Sequence, residues 1–205
     1  MTTGWLPLYL RSRRVPYAAP VSVAAVAAVV LPWSAWAESP EVDPSLAVLT
    51  VMLALTPLIP TLAGDDDALE KTAALPWPPR RMLHLIGAGT FVAVLLLGAR
   101  AAGADFGPGW LILRNCAGLA GLSGLSVALL GPRLAWAAPV AWSAVQAMLA
   151  APGGSGWRQS LLWLMQPVGS VPAAVTALVL LVVGVLAYAA RVSPPRAPNE
   201  TAMGR

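Results

Sequence analysis

Long apolar runs separated by short polar turns occupy most of this chain between Tyr17 and Ala190. A bilayer core is about 30 Å thick and takes roughly 20 consecutive apolar residues per helix. Inside it no water satisfies backbone N–H and C=O groups, so each crossing must close its own hydrogen bonds. Six such runs are read here, at 17–37, 46–63, 82–102, 110–130, 134–150 and 171–190. The expected fold class is an all-α polytopic membrane protein, with six transmembrane helices in a single domain of residues 1–192. Only 11% of residues are charged and the mean hydropathy is +0.70, against about a quarter charged in a soluble domain. No stretch between the runs is long enough for a soluble catalytic domain. ATPase, kinase or redox chemistry would have to come from another chain.

Six spans bring both termini to one side. Ten of the thirteen basic residues share that side: Arg11, Arg13, Arg14, Lys71, Arg80, Arg81, Arg133, Arg191, Arg196 and Arg205. Arg100, Arg114 and Arg158 fall on or near the other. Basic residues collect in cytoplasmic loops, which sets the termini inside and Glu38, Glu41, Asp43 and Asp105 outside. Trp33, Trp36 and Trp110 then mark outer boundaries and Trp136 an inner one. The net charge of +4 follows from this distribution. The lipid membrane is the expected partner and nucleic acid is not, since no folded basic surface exists to hold it. Cys116 has no second cysteine to pair with and reads as a small core residue.

Arg11, Arg13 and Arg14 before an apolar run, with Ala35-Trp36-Ala37 ahead of Glu38, imitate a signal peptide. Residues 15–37 are longer than the usual hydrophobic region of about 7–15 residues, so a retained first span is expected. Residues 2–14 place Trp5, Leu6, Leu8, Tyr9 and Leu10 before the arginines, a pattern suited to an interfacial helix at anionic headgroups. Residues 151–170 begin Pro152-Gly-Gly-Ser-Gly156 and continue through Trp157, Leu161, Leu162 and Trp163. They are too short to cross twice. With Arg158, Gln159 and Gln166 they suit an outer re-entrant or interfacial segment. The Pro-rich stretch 193–205 is expected to be a disordered cytoplasmic tail.

The insert 64–81 stands out against this apolar background. It holds Asp65, Asp66, Asp67 and Glu70, four of nine acids, and Lys71, Arg80 and Arg81. A carboxylate accepts hydrogen bonds from the free N–H groups of a first helical turn. Asp67 with Glu70 three residues on has capping-box spacing, and acids suit the positive end of the helix dipole. Residues 68–75 are good helix formers, and Pro76, Pro78 and Pro79 stop the helix. The expectation is a helix of about two turns, with Leu69, Leu75 and Trp77 as apolar contacts and Arg80 and Arg81 at the inner headgroups. This many ordering devices favour a docking element over a plain connection.

Six spans, an N-terminal interfacial helix, a charged helical loop after span two and an apolar excursion before span six resemble the membrane subunits of ABC-2-type (type V) ABC exporters. Three phrases are similar to those of short permease-type proteins of high-GC actinobacteria. They are Asp67-Ala-Leu-Glu-Lys-Thr-Ala-Ala-Leu-Pro-Trp-Pro-Pro-Arg-Arg-Met-Leu-His84, Leu113-Arg-Asn-Cys-Ala-Gly-Leu-Ala-Gly-Leu122 and Gly131-Pro-Arg-Leu-Ala-Trp136. The resemblance covers the whole topology. It implies a multi-pass protein of the bacterial plasma membrane whose residues Asp65 to Arg81 carry the coupling helix. That helix would dock on a separate ABC ATPase (nucleotide-binding) subunit. The resemblance further implies a dimer with itself or with a paralogous permease, and ATP and Mg bound only by the partner. No cofactor and no catalysis are expected in this chain. Export direction rests on the resemblance alone, and the lack of a large outer domain departs from lipoprotein-shuttling and macrolide-pump machines.

Polar residues inside the spans are few. Arg114 and Asn115 lie about one turn into span four, and a charge there is costly enough to face protein, a cavity or an interface. Arg114 has two open readings: lining a pathway or subunit seam, or snorkelling to the outer headgroups. Asn115 should hydrogen-bond to a neighbouring helix, and Gln146 reads as a structural hydrogen bond. Gly118, Gly121 and Gly124 with Ala117, Ala120, Ser123 and Ser126 permit close helix approach, within a protomer or across a dimer. Gly121-Leu-Ser123-Gly124 looks like a rhomboid protease motif, but Ser123 lies deep in span four while His84 falls at the cytoplasmic edge of span three, before the serine instead of two spans after it, a poor geometry for a base needed within about 3 Å. Asp65–Asp67 lack a converging fourth ligand for a metal. A self-contained carrier would show a repeat. A non-enzymatic membrane scaffold or assembly factor is the alternative to the transporter subunit. Substrate is not legible beyond an amphipathic or lipid-like cargo suited to the apolar interior.

Overall fold

The computed structural model describes residues 5–63, 77–149 and 152–190. Its helices are α1 (Trp5–Ser12), α2 (Val15–Trp36), α3 (Pro44–Leu55), α4 (Trp77–Ala101), α5 (Gly109–Leu130), α6 (Ala137–Leu149), α7 (Gly156–Leu161) and α8 (Val171–Ala190). A 3-10 segment, Thr56–Leu62, continues α3, and a 3-10 turn, Trp163–Met165, follows α7. Among the described residues, five helical runs are long and apolar enough to cross a membrane: α2, α3 with its 3-10 extension, α4, α5 and α8. The chain is therefore an all-helical protein of multi-pass membrane character. Each apolar run read from the sequence coincides with a helix. That at 134–150 corresponds to α6, which has 13 residues, about 20 Å of helix and short of a full crossing.

Local chemistry sets the helix ends. Asp43 caps α3, its carboxylate accepting from the N–H of Ser45 at 2.8 Å and Leu46 at 3.2 Å, with Pro44 at the first helical position where no N–H is needed. Pro57 and Pro60 then interrupt the α-helical ladder, and the chain tightens into the 3-10 segment. Arg14, in the left-handed region at φ 57°, turns α1 into α2. Trp77, Pro78 and Pro79 form the first turn of α4, so that span begins five residues before the boundary expected at Met82. A proline there lacks only an N–H that would be unpaired anyway. Pro78 and Pro79 thus stand inside the start of a helix, and residues 64–76 lie outside the described residues.

The loops before α3 and before α5 meet at one end of the bundle. Glu41 and Asp105 form an isolated β-bridge, with Val42 N donating to Asp105 O at 2.9 Å and Asp105 N to Pro40 O at 2.7 Å. Arg100 closes on the Asp105 carboxylate at 3.2 Å. The arginine-rich turn between α1 and α2 lies at the opposite end, beside Leu62 and Tyr188.

The centre is the parallel pair α5 and α8. A Cβ on Gly121 would overlap the backbone of Leu180 and Leu181, and one on Gly184 would overlap the backbone of Gly121. A Cβ on Gly124 would collide with the Leu85 side chain of α4, and one on Gly89 of α4 would lie 2.9 Å from Ala120 Cβ. The small-residue face of span four is thus used within the chain, where backbones approach too closely for any side chain.

Candidate functional site

Two buried polar clusters hold the bundle, one at each end. At the arginine-rich end the carbonyl of Leu62 accepts from Arg13 Nη1 at 3.1 Å and from the hydroxyl of Tyr188. Arg13 is 5% exposed and Tyr188 1%. Beside them Thr61 Oγ1 donates to Leu58 O at 2.6 Å and lies 3.0 Å from His84 Nε2. Tyr9 stands edge-on to His84 at 5.7 Å, with the Arg13 guanidinium 5.5 Å from the Tyr9 ring centroid. Only Ala63 separates Leu62 from the insert, and residues 61 and 62 are bonded to α4, to α8 and to the turn after α1. The exit from the insert is the first turn of α4, where Arg80 stacks 5.7 Å from the Trp77 ring, a cation–π distance.

At the opposite end, α6 stops short and residues 152–170 tuck back into the bundle. Leu164 N donates to Gln146 Oε1 at 2.9 Å, and Leu164 O accepts from Asn115 Nδ2 at 3.2 Å. Arg114 donates to Gln166 O at 2.7 Å and Pro167 O at 3.1 Å, with a longer 3.5 Å approach to Leu164 O, while its Nε meets Asn115 Oδ1 at 3.2 Å. Gln166 Oε1 accepts from Gly153 N at 2.9 Å, and its Nε2 donates to Leu162 O at 3.2 Å. The Trp163 ring fills the space a side chain at Gly118 would need. At roughly 1.5 Å per residue, Asn115 and Gly118 lie about 9 and 13 Å along α5 from Gly109, so the turn reaches well into the helical layer. Non-helical backbone at such depth persists only when protein satisfies its polar groups, and Arg114, Asn115, Gln146 and Gln166 do so.

Of the two readings of Arg114, snorkelling does not occur: the side chain is 3% exposed and its donors serve main-chain carbonyls. Asn115 bonds the neighbouring segment as expected. Asn115 and Gln166 also floor a cavity of about 540 Å³ between α3, α4, α5 and the 164–167 turn. Its walls are apolar (Val48, Val51, Leu96, Ile112), and Glu41, Arg100 and Asp105 lie at the bridged-loop end. Ser123 donates to Leu119 O at 2.8 Å within its own helix, while His84 lies against Thr61.

Trp77, Arg80 and Arg81 lie in the first turns of α4. Asp65, Asp66, Asp67, Leu69, Glu70, Lys71 and Leu75, the helix expected at 68–75 and the tail at 193–205 lie outside the described residues. Sequence reasoning did not find Arg13, Thr61, His84, Gln166 and Tyr188 as cluster members. Thr61, His84 and Gln166 carry a signal, since each is a lone polar side chain in an apolar run. Tyr188 carries none, because an aromatic near a span end reads equally as an interfacial anchor. No family model, curated protein or solved structure matches the chain.

Proposed function

We propose that this chain is the membrane-spanning permease subunit of an ATP-driven ABC exporter, moved by a separate nucleotide-binding subunit that docks on residues 64–81. The observation that carries this reading is the bonding at the entry to the insert. Leu62 is tied to Arg13, in the turn just after α1, and to Tyr188 of α8, and its neighbour Thr61 to His84 of α4. A push on the insert is then felt at once by α1, α4 and α8, because a packed interior transmits displacement instead of absorbing it. A passive connection between two spans needs no such anchoring.

In this reading the chain crosses the plasma membrane six times, the run at 134–150 being the fifth span and residues 152–170 the outer re-entrant segment before the sixth. Both termini and the arginine-rich end face the cytoplasm. Two copies, or one copy and a paralogous permease, receive two ATPases that bind ATP and Mg. The 540 Å³ cavity with apolar walls and charged rim suits an amphipathic cargo on the outer side. Discontinuous segments commonly border such sites in transporters.

The test is co-purification in mild detergent of the tagged chain with any ABC ATPase from its native membranes, comparing wild type with the triple variant Asp67→Ala, Glu70→Ala, Trp77→Ala. A wild-type complex with ATPase activity that the variant loses is the expected result. No bound ATPase with either protein would sink the transporter reading and leave the scaffold one.

A further inference from the structure

At the arginine-rich end a groove of about 360 Å³ runs between α1, α2, the 3-10 segment and α4. Leu10, Val15, Ala19, Leu58, Ala88 and Phe91 wall it, and Arg80 stands at one end. His84 and Thr61 also line it, but their polar atoms face each other at 3.0 Å, so the walls present hydrocarbon. No acidic residue is among its described lining. From Arg80 to Phe91 the groove follows α4 for about 16 Å at roughly 1.5 Å per residue. That is close to half of the roughly 30 Å hydrocarbon core, the depth of one leaflet. Arg11, Arg13 and Arg14 lie at the same end, in and after α1. A slot one leaflet deep, apolar along its length and cationic at one end, matches a lipid tail below a negative headgroup.

We propose that this groove holds one acyl chain of an anionic phospholipid, with the headgroup phosphate on Arg80. The chain packs between α1 and α4 and so steadies the helix that carries Tyr9, and Arg13 just after it, against the Leu62 turn. The site does not depend on the transport reading.

Gly87 makes the test clean. It lies in the groove lining, and a Cβ built on it meets nothing within 4 Å. Gly87→Leu therefore starts its side chain in open space, directs it into the slot and raises the local helix propensity. Gly87→Ala is the control that leaves the slot open. The full chain, delipidated in detergent, is given phosphatidylglycerol or phosphatidylcholine with identical acyl chains. Retained lipid is counted by native mass spectrometry and stability is followed by thermal unfolding. Wild type and Gly87→Ala should retain one phosphatidylglycerol per chain and melt at higher temperature with it than with phosphatidylcholine. Gly87→Leu should lose both the retained lipid and the shift while melting, without lipid, no lower than wild type. Arg80→Gln should hold the two lipids equally, and inorganic phosphate alone should shift nothing. Retention by Gly87→Leu equal to wild type, or equal retention of the two lipids by wild type, would overturn the proposal.

Discussion

Arg13 and Tyr188, from opposite ends of the sequence, donate to the same carbonyl, that of Leu62, at the last turn before the insert. The two donors tie the turn after the first helix, and the last helix, to the 3-10 segment that precedes the insert. Tyr188→Phe removes one of them and leaves the shape of the ring in place. A net loss of about 1 kcal/mol is expected, measured as a lower unfolding midpoint in a mild-detergent titration. Arg13→Ala should cost more, since it removes a charged donor and the stem that packs beneath it. If the phenylalanine variant unfolds like wild type, the Leu62 carbonyl is satisfied by Arg13 alone.

The α5–α8 contact predicts opposite outcomes for one substitution at two glycines. Gly121→Leu drives a side chain into the backbone of Leu180 and Leu181, and rigid backbone cannot yield. The cost should be at or above the about 1–3 kcal/mol typical of overpacking, with loss of the monodisperse peak on size exclusion as the readout. Gly87→Leu, facing open space on α4, should purify like wild type. Equal yields for the two variants would mean that the α5–α8 crossing is not as close as described.

Arg114 makes a graded prediction at the other end. Arg114→Met keeps the volume but leaves the carbonyls of Gln166 and Pro167 without their donor. Each buried unsatisfied group costs about 1–3 kcal/mol, so a loss of about 2–6 kcal/mol is expected for the two. Arg114→Lys should fall between methionine and wild type, because an ammonium cannot spread its donors over the span a guanidinium covers. Limited proteolysis within 152–170 should accelerate in the same order. A lysine variant as stable as wild type would show that one donor suffices.

Cys116, buried at 1% exposure, gives an internal reporter. A membrane-permeant maleimide should label it only after unfolding, so labelling and loss of helical signal should share one midpoint. With Cys116→Ala as background, single cysteines at Ser12 and Ser155 fix the orientation. Ser12→Cys should be reached by an impermeant maleimide only in inverted vesicles, and Ser155→Cys only in intact cells. The reverse pattern would turn the protein over and move the insert outside.

Much of the architecture was legible without coordinates. Each apolar run became a helix, because a segment with hydrocarbon on every side has no other way to close its backbone hydrogen bonds. Asp43 and Pro44 mark a helix start by chemistry confined to three residues. Where the signal was local it was also ambiguous at the edges. Pro76-Trp-Pro-Pro79 reads equally as the end of one helix and the start of the next, and the structure begins α4 at Trp77.

Length, composition and the placement of charge by themselves determined that this is a helical chain of multi-pass membrane character with one polar insert. Those properties follow from transfer free energies that act residue by residue. What Arg114, Gln146 and the glycines of span four are for was decided only in three dimensions. Arg114 and Gln146 meet the 164–167 turn across roughly 50 and 18 residues of sequence, and Gly121 meets Gly184 because α5 and α8 run parallel. A buried polar group or a missing side chain is a demand for a partner. Sequence states the demand, and only the packing of distant segments says which partner meets it.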